Sequence, residues 1–170
     1  MPEVANKPVY LVDANSDPVV VRIDGRACFQ NSPCLRDFFT ELLKQGKTRF
    51  ALDFQNCASM DSTFLGVLAG IALELKKAKP PGSLVLARVG PRNLELIRNL
   101  GLHRLLIVDP AAATTSFEKC NTALQCANHT EIENARLVLE AHEHLVSVDE
   151  ANRAKFQDVL AFLKNRVAQK

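Results

Sequence analysis

The segment from Asn56 to Gly66 reads NCASMDSTFLG and joins two predicted elements of the chain. It follows residues 50–54, where apolar side chains alternate and predict a strand. It leads into a segment from Asp61 to Lys77 that is apolar almost all round, which predicts a largely buried helix with Asp61 at its start. The end of a strand therefore meets the start of a buried helix here.

Upstream of this junction the sequence predicts two strands and a helix. Residues 10–12 and 19–23 are apolar segments separated by turn residues, as in two strands joined by a turn. Ser32 followed by Pro33 is a typical helix start, and Gly46 marks the end of that helix.

Downstream, elements of both kinds continue to alternate. Residues 84–87 predict a short buried strand and 105–108 a further strand. Between them, Gly90 and Pro91 turn the chain into a third helix that stops at Gly101. Alternating strands and helices after a strand pair predict an α/β fold, with a mixed sheet of about five strands packed by about four helices.

The fourth helix is predicted from a capping box, a pair of polar residues that satisfy the first backbone amides of a helix. Thr115 and Glu118 have this spacing. The predicted helix closes the domain near Asn128, and its apolar residues are Phe117, Cys120 and Leu124.

Two further capping boxes predict a C-terminal helical hairpin. Thr130 with Glu133 and Ser147 with Glu150 each precede apolar residues at helical intervals. We divide the chain into a domain of residues 1–128 and a hairpin extension of residues 129–170. The hairpin's apolar faces pack on their own domain, clamp a partner or form a homodimer, in which the contact residues would be Phe156, Phe162 and Leu163.

Length and composition exclude several classes of protein. A chain of 170 residues with 47% hydrophobic residues can bury one substantial core. A net charge of +2 is far from the basic balance of nucleic-acid-binding proteins. The sequence has neither an apolar run of about 18 residues nor the pattern of a signal peptide, so we expect a cytoplasmic protein without membrane insertion.

The cysteines and histidines predict no metal site. The five cysteines include no C-x-x-C pair, and we expect them to be reduced and mostly buried. His142 and His144 are two apart in a helical pattern and point in different directions. We expect no metal and no cofactor.

The motif Met60-Asp61-Ser62-Thr63-x-Leu65-Gly66, in this order of elements, resembles the STAS-domain family of bacterial anti-sigma factor antagonists. The resemblance covers roughly residues 8–125 and implies a STAS-like fold. The other matching segments are Asp24-Gly25, Leu52-Asp53-Phe54 and Leu96-Ile97-x-x-Leu100-Gly101-Leu102.

The resemblance implies a function in transcription control. Members of the family bind an anti-sigma factor that is also a serine kinase, and thereby free a sigma factor; a serine phosphatase reverses the phosphorylation. Carried over to this chain, Ser62 is the phosphoacceptor, with Thr63 as the alternative acceptor. The residues expected to contact the partner are Asp24, Asn31, Ser32, Asp61, Ser62, Thr63, Phe64 and Leu65.

One departure from the family pattern leaves an alternative open. Phe64 stands where family members usually have glycine, and a bulky ring there could block a kinase. STAS-like domains also serve as constitutive subunits of signalling assemblies or transporters, which is the alternative function. We expect no enzymatic activity. Asp53 and Asp61 are the two carboxylates that come nearest to a catalytic pair, but turn and cap roles explain both.

Overall fold

A six-stranded sheet forms the centre of the computed structural model, which describes residues 8–109 and 117–168. The strands are β1 (Tyr10–Asp13), β2 (Val19–Ile23), β3 (Gly25–Ala27), β4 (Arg49–Asp53), β5 (Cys57–Met60), β6 (Ser83–Ala87), β7 (Ile107–Asp109) and β8 (Thr122–Ala123). The helices are α1 (Ser32–Lys44), α2 (Ser62–Lys77), α3 (Pro91–Asn99), α4 (Glu131–Val148) and α5 (Asn152–Ala168). The predicted mixed α/β fold with a C-terminal helical pair is confirmed.

The sheet has the order β7-β6-β4-β2-β1-β8 and mixes both strand directions. The strands β2, β4, β6 and β7 pair in parallel, whereas β1 pairs antiparallel with β2 and β8. Alternate residues of the central strands point to opposite faces, so Phe50 and Leu52 pack under α1 and α2 while Ala51 faces the other side. Both faces of β4 are therefore buried.

The predicted fourth helix is wrong within the described residues, because residues 117–128 are not helical. Phe117 and Cys120 instead cover the second face of the sheet, where they pack against Val20 and Ala51. Leu124 then donates its backbone N–H to the Tyr10 carbonyl at 3.0 Å, next to the β8 ladder. An extended chain both covers this face and adds a strand to the sheet, and these two gains outweigh the local preference for a helix. Thr115, the predicted cap, lies outside the described residues.

The boundaries of two other elements also differ from the prediction. A 3-10 helix at Leu102–Arg104 follows Gly101, whose φ of +75° favours glycine. Because this helix takes up the residues after Gly101, β7 begins at Ile107 rather than at residue 105. The predicted cap at Ser147 is wrong, because α4 continues to Val148. Asp149 accepts the Ala151 amide at 3.0 Å in the turn that follows.

The capping box of Thr130 and Glu133 at the start of α4 is confirmed. The α4–α5 hairpin folds back onto its own domain, with Leu145 fully buried in the main core. Asn152, at the start of α5, donates to the backbone carbonyls of Leu145 at 2.7 Å and Leu100 at 2.9 Å. These bonds join both helices of the hairpin to the end of α3.

The expectation that all cysteines are reduced is corrected by a disulfide between Cys34 and Cys126. It links the first turn of α1 to the segment before α4, across 92 residues of sequence. Cys28, Cys57 and Cys120 are free. Within residues 8–109 and 117–168, no helix has both the length and the apolar character needed to cross a membrane.

Candidate functional site

A two-stranded parallel ladder brings the predicted partner segments together. β3 pairs with β5, and Gly25, at φ +115°, donates its N–H to the Asn56 carbonyl at 3.0 Å. This backbone conformation favours glycine, so Gly25 permits the chain to leave β2 and start β3 directly. The ladder places the loop after β3 beside the start of α2.

Asp61 joins the two segments through both carboxylate oxygens. Oδ1 accepts the Phe64 amide at 2.9 Å, which caps the N-terminus of α2 as predicted. Oδ2 accepts the Phe29 amide at 2.7 Å, and the Asp61 amide donates to the Ala27 carbonyl at 3.1 Å. Asp61 therefore fixes the position of loop residues 27–29 relative to the helix start.

Asn31 fixes the rest of the loop. Its Oδ1 accepts from the Cys28 amide at 3.0 Å and from the Tyr10 hydroxyl at 2.7 Å, while its Nδ2 donates to the Arg26 carbonyl at 2.8 Å. Burial raises the pKa of Tyr10 well above its ordinary value, so the phenol stays protonated and can donate. Ser32 is fully buried, and its hydroxyl donates to the Cys28 carbonyl at 2.7 Å.

Asp24 lies at the edge of this surface. Its carboxylate pairs with Arg22 at 3.1 Å and accepts from the Asn56 amide group at 3.3 Å. Both side chains of the ion pair are about one-third exposed. Asp24 therefore remains accessible while its charge is partly balanced by Arg22.

Ser62 lies at the first residue of α2, half-buried, and its hydroxyl is bonded to the hairpin. Ser62 Oγ is 2.8 Å from Nε2 of His142, a residue 80 positions later in α4. The other ring nitrogen, Nδ1, lies 2.7 Å from the Val138 carbonyl, which can only accept. Nδ1 therefore carries a proton, and in the neutral imidazole Nε2 accepts the hydrogen bond from Ser62.

Four residues expected to contact a partner are buried in this structure, namely Ser32 and three residues of α2. Thr63 is 4% exposed, and Phe64 and Leu65 are 0% exposed. The Phe64 ring packs edge-on against Phe54, with ring centroids 6.2 Å apart. The Phe64 ring therefore fills the core and does not occupy the surface beside Ser62.

Two residues near the site were not predicted from the sequence. Phe29 is 54% exposed beside Asp61, and its signal was a single aromatic residue in an otherwise polar loop. His142 was assigned only to an apolar helix face. Gly66 and Gly70, one helical turn apart on α2, were the signal that another helix packs closely there.

The remaining polar side chains suggest neither an acid–base pair nor a metal site. The Asp53 carboxylate is held by the Arg88 guanidinium and by the Gln55 amide, and Asp61 is occupied by two backbone amides. Among the described residues, no three histidine, cysteine, aspartate or glutamate side chains come together in a way that could hold a metal ion.

Comparison with known proteins gives a family for the chain. Two solved structures to which it is similar are the anti-sigma factor antagonist SpoIIAA in its unphosphorylated form and the Bacillus cell fate determinant SpoIIAA in its phosphorylated form. The first is 21% identical over 52% of this chain and 81% of that chain, with a TM-score of 0.47. The second is 21% identical over 58% of this chain and 89% of that chain, with a TM-score of 0.48. No curated protein matches the sequence.

Residues 10–108 match the family described as "Mlab, STAS domain". The matched region runs from β1 into β7 and includes the loop after β3, Asp61 and Ser62. Because the match covers more than half of the chain, the chain belongs to the STAS-domain family.

Proposed function

We propose that this chain is a protein-binding regulator of the anti-sigma factor antagonist type. In its unphosphorylated form it binds an anti-sigma factor that is also a serine kinase, and so frees a sigma factor for transcription. The observation that carries the proposal is the double role of Asp61, which holds the Phe29 amide and the start of α2 together. The loop after β3 and Ser62 thus form one surface.

The proposed binding surface consists of the accessible residues of that region, which are Asp24, Phe29, Asn31, Asp61 and Ser62. Phe29 supplies an exposed apolar anchor beside polar groups whose positions are fixed by hydrogen bonds. Binding sites of this composition bury an aromatic residue at the centre and leave a polar rim. A protein partner fits it better than a small molecule does.

Phosphorylation of Ser62 would act as the switch. A phosphate adds about −1.5 to −2 charges, and the free amides and dipole at the N-terminus of α2 favour an anion there. The sheet and the helices of the STAS domain should therefore keep their fold after the modification, while the surface around Ser62 changes. A partner docked over Ser62 would meet a bulky charged group, and a loss of about 1.4 kcal/mol already lowers affinity tenfold.

Capture of partners from a native lysate tests this function. The baits are wild type, Ser62→Ala, Ser62→Asp and the control Gln157→Glu, which adds one negative charge on the exposed surface of α5. We expect a kinase-type anti-sigma factor, identified by mass spectrometry, on every bait except Ser62→Asp. Equal capture of that protein by Ser62→Ala and Ser62→Asp would contradict the switch.

A second candidate is a constitutive STAS subunit of a signalling assembly or transporter, not switched by phosphorylation. The observation in its favour is that the Ser62 hydroxyl is already bonded to His142, whose side chain is buried. In this case all four baits capture the same partners, and Ser62 is never phosphorylated in cells.

A further inference from the structure

The α4 helix lies directly against α2 through residues without bulky side chains. A β-carbon added to Gly66 would lie 2.2 Å from the Ala141 carbonyl oxygen, and one added to Gly70 would lie 2.5 Å from Nδ1 of His144. The two backbones therefore approach as closely as glycine and alanine permit. Val67 and Leu137 add an apolar contact beside them. This face of α2 begins one turn after Ser62.

The same helix covers the Ser62 hydroxyl. Nε2 of His142 lies 2.8 Å from Oγ, so the imidazole occupies that direction and a phosphate on Oγ could not point along it. His142 is 3% exposed, and its ring packs edge-on against Phe156 of α5 at 4.9 Å between centroids. The ring is thus held on both sides, by the Val138 carbonyl and by Phe156.

The buried position of the Ser62 hydroxyl's partner also opposes a phosphate there. The glutamates of α4 are mostly paired, Glu131 with Arg166 and Glu140 with Arg36, so the opposition does not come from the net charge of the helix. A dianion placed between α2 and α4 would instead lose water in surroundings that screen charge less than bulk water does. The unmodified hydroxyl, in contrast, donates a hydrogen bond there without any charge.

One polar atom in the contact between α2 and α4 lacks a partner. His144 Nδ1, which lies against Gly70, is buried without a hydrogen-bond partner among the described residues. A buried polar group of this kind regains hydrogen bonds with water when the contact opens. The Cys34–Cys126 disulfide holds the segment before α4 on α1, so the chain up to Cys126 stays in place when the hairpin leaves α2.

We infer that the α4–α5 hairpin is an internal competitor for the Ser62 surface, so that docking of α4 on α2 excludes both a phosphate on Ser62 and a partner bound there. This inference rests on the proposed function for the identity of the partner. The chain then binds its partner only in the fraction of molecules with the hairpin undocked, and the apparent affinity falls by that fraction. Phosphorylation of Ser62 keeps the hairpin undocked.

The modification itself is ordinary phosphoryl transfer from ATP. A bond forms between Ser62 Oγ and the γ-phosphorus, the bond from that phosphorus to the β–γ bridging oxygen breaks, ADP leaves, and the hydroxyl proton passes to the kinase's base or to solvent. His142 must first leave Oγ for a kinase to reach it. Undocking of the hairpin therefore precedes the transfer.

Hydrogen–deuterium exchange of the full chain tests the inference without any partner. The variants are Ser62→Asp, Ser62→Ala and Ala141→Leu, the last of which enlarges the hairpin side of the contact and leaves α2 unchanged. Ala161→Leu is the matched control, because Ala161 is exposed on α5. Exchange in β4 reports whether the sheet of each variant is intact.

We expect exchange in residues 137–146 to be about tenfold faster or more in Ser62→Asp and Ala141→Leu than in wild type and Ala161→Leu, with β4 equally protected in all. Equal protection of residues 137–146 in wild type, Ser62→Asp and Ala141→Leu would overturn the inference. Faster exchange without capture of any anti-sigma factor would support the hairpin switch and contradict the proposed function. Suppose instead that Ser62→Asp no longer captures the anti-sigma factor but exchange in residues 137–146 is unchanged. That result would support the proposed function and contradict the hairpin switch.

Discussion

Gly66 in α2 and Ala141 in α4 meet so closely that no side chain fits between them. The Ala141 carbonyl oxygen would lie 2.2 Å from a β-carbon on Gly66, and the Ala141 β-carbon 2.7 Å from it. Real atoms do not approach to this distance without repulsion. The position of the hairpin on the STAS domain therefore depends on the absence of a side chain at residue 66.

Gly66→Ala should destabilise the protein by about 1–3 kcal/mol, because the new methyl group collides with backbone that cannot turn away. Helix propensity alone predicts the opposite, a gain of about 1 kcal/mol for alanine over glycine. Gly70→Ala is the matched variant, since its nearest contact is the His144 side chain, which can rotate. Urea denaturation should show a larger loss for Gly66→Ala; equal stabilities would contradict the close packing of α4.

Asp61→Ala should lower the free energy of unfolding by about 1–2 kcal/mol, because α2 loses its N-terminal cap. The Phe29 amide also loses its acceptor, so its hydrogen exchange should become faster while that of the β4 amides stays slow. Asp158→Ala, on the exposed side of α5, is the control and should change stability by less than about 0.5 kcal/mol. If the hydrogen-exchange rate of the Phe29 amide is the same in Asp61→Ala as in wild type, Asp61 does not fix the loop.

Arg88→Ala should be strongly destabilising, by about 3–5 kcal/mol, because it leaves a buried carboxylate without its partner. The Asp53 side chain is 1% exposed and is held by two nitrogens of the Arg88 guanidinium. Arg22→Ala is the comparison, since Arg22 and Asp24 are about one-third exposed and their pairing contributes under about 1 kcal/mol. Chemical denaturation of the two variants measures the difference, and similar losses would contradict the burial of Asp53.

The thiols should fall into distinct classes in a titration with Ellman's reagent. Unfolded protein without reductant should show three reactive thiols, and reduced protein all five. In the native state Cys28 should react first, because burial raises the pKa of Cys57 and Cys120 from 9.0 to about 11. Five reactive thiols in unfolded, unreduced protein would contradict the disulfide.

The raised thiol pKa values also predict how stability depends on pH. A folded-state pKa above the unfolded value contributes stability that is complete below the unfolded pKa. For Cys57 and Cys120 that contribution is lost as the pH rises from 9.0 to about 11. The midpoint temperature of thermal unfolding should therefore fall less for Cys57→Ala than for wild type as the pH rises through this range.

Local chemistry was sufficient to predict most helices of the fold. Pro33, Asp61, Pro91 and Gly101 each mark a helix end by a backbone or capping effect that acts within a few residues. Thr130 did the same for α4. These signals are correct because no other part of the chain that the structure describes, residues 8–109 and 117–168, competes for the same backbone groups.

The errors arose where distant residues compete with local signals. Residues 57–60 are predicted only as the connection between a strand and a helix, but pairing with β3, some thirty positions earlier, makes them a strand. Cys120 is predicted to lie in a helix, but in the structure it is buried against the second face of the sheet. The bonds from Ser62 to His142 and from Cys34 to Cys126 join elements whose meeting depends on the complete topology, so no local pattern predicts them.

The phosphorylation state of Ser62 in protein isolated from its own cells distinguishes a switched antagonist from a constitutive subunit. The preparation is separated into free protein and protein bound to partners, and Ser62 occupancy is measured in each by mass spectrometry. We expect phosphate on Ser62 in the free fraction, and an unmodified Ser62 in the fraction that contains a kinase-type anti-sigma factor. An unmodified Ser62 in both fractions, under all growth conditions sampled, would contradict a phosphorylation-switched antagonist.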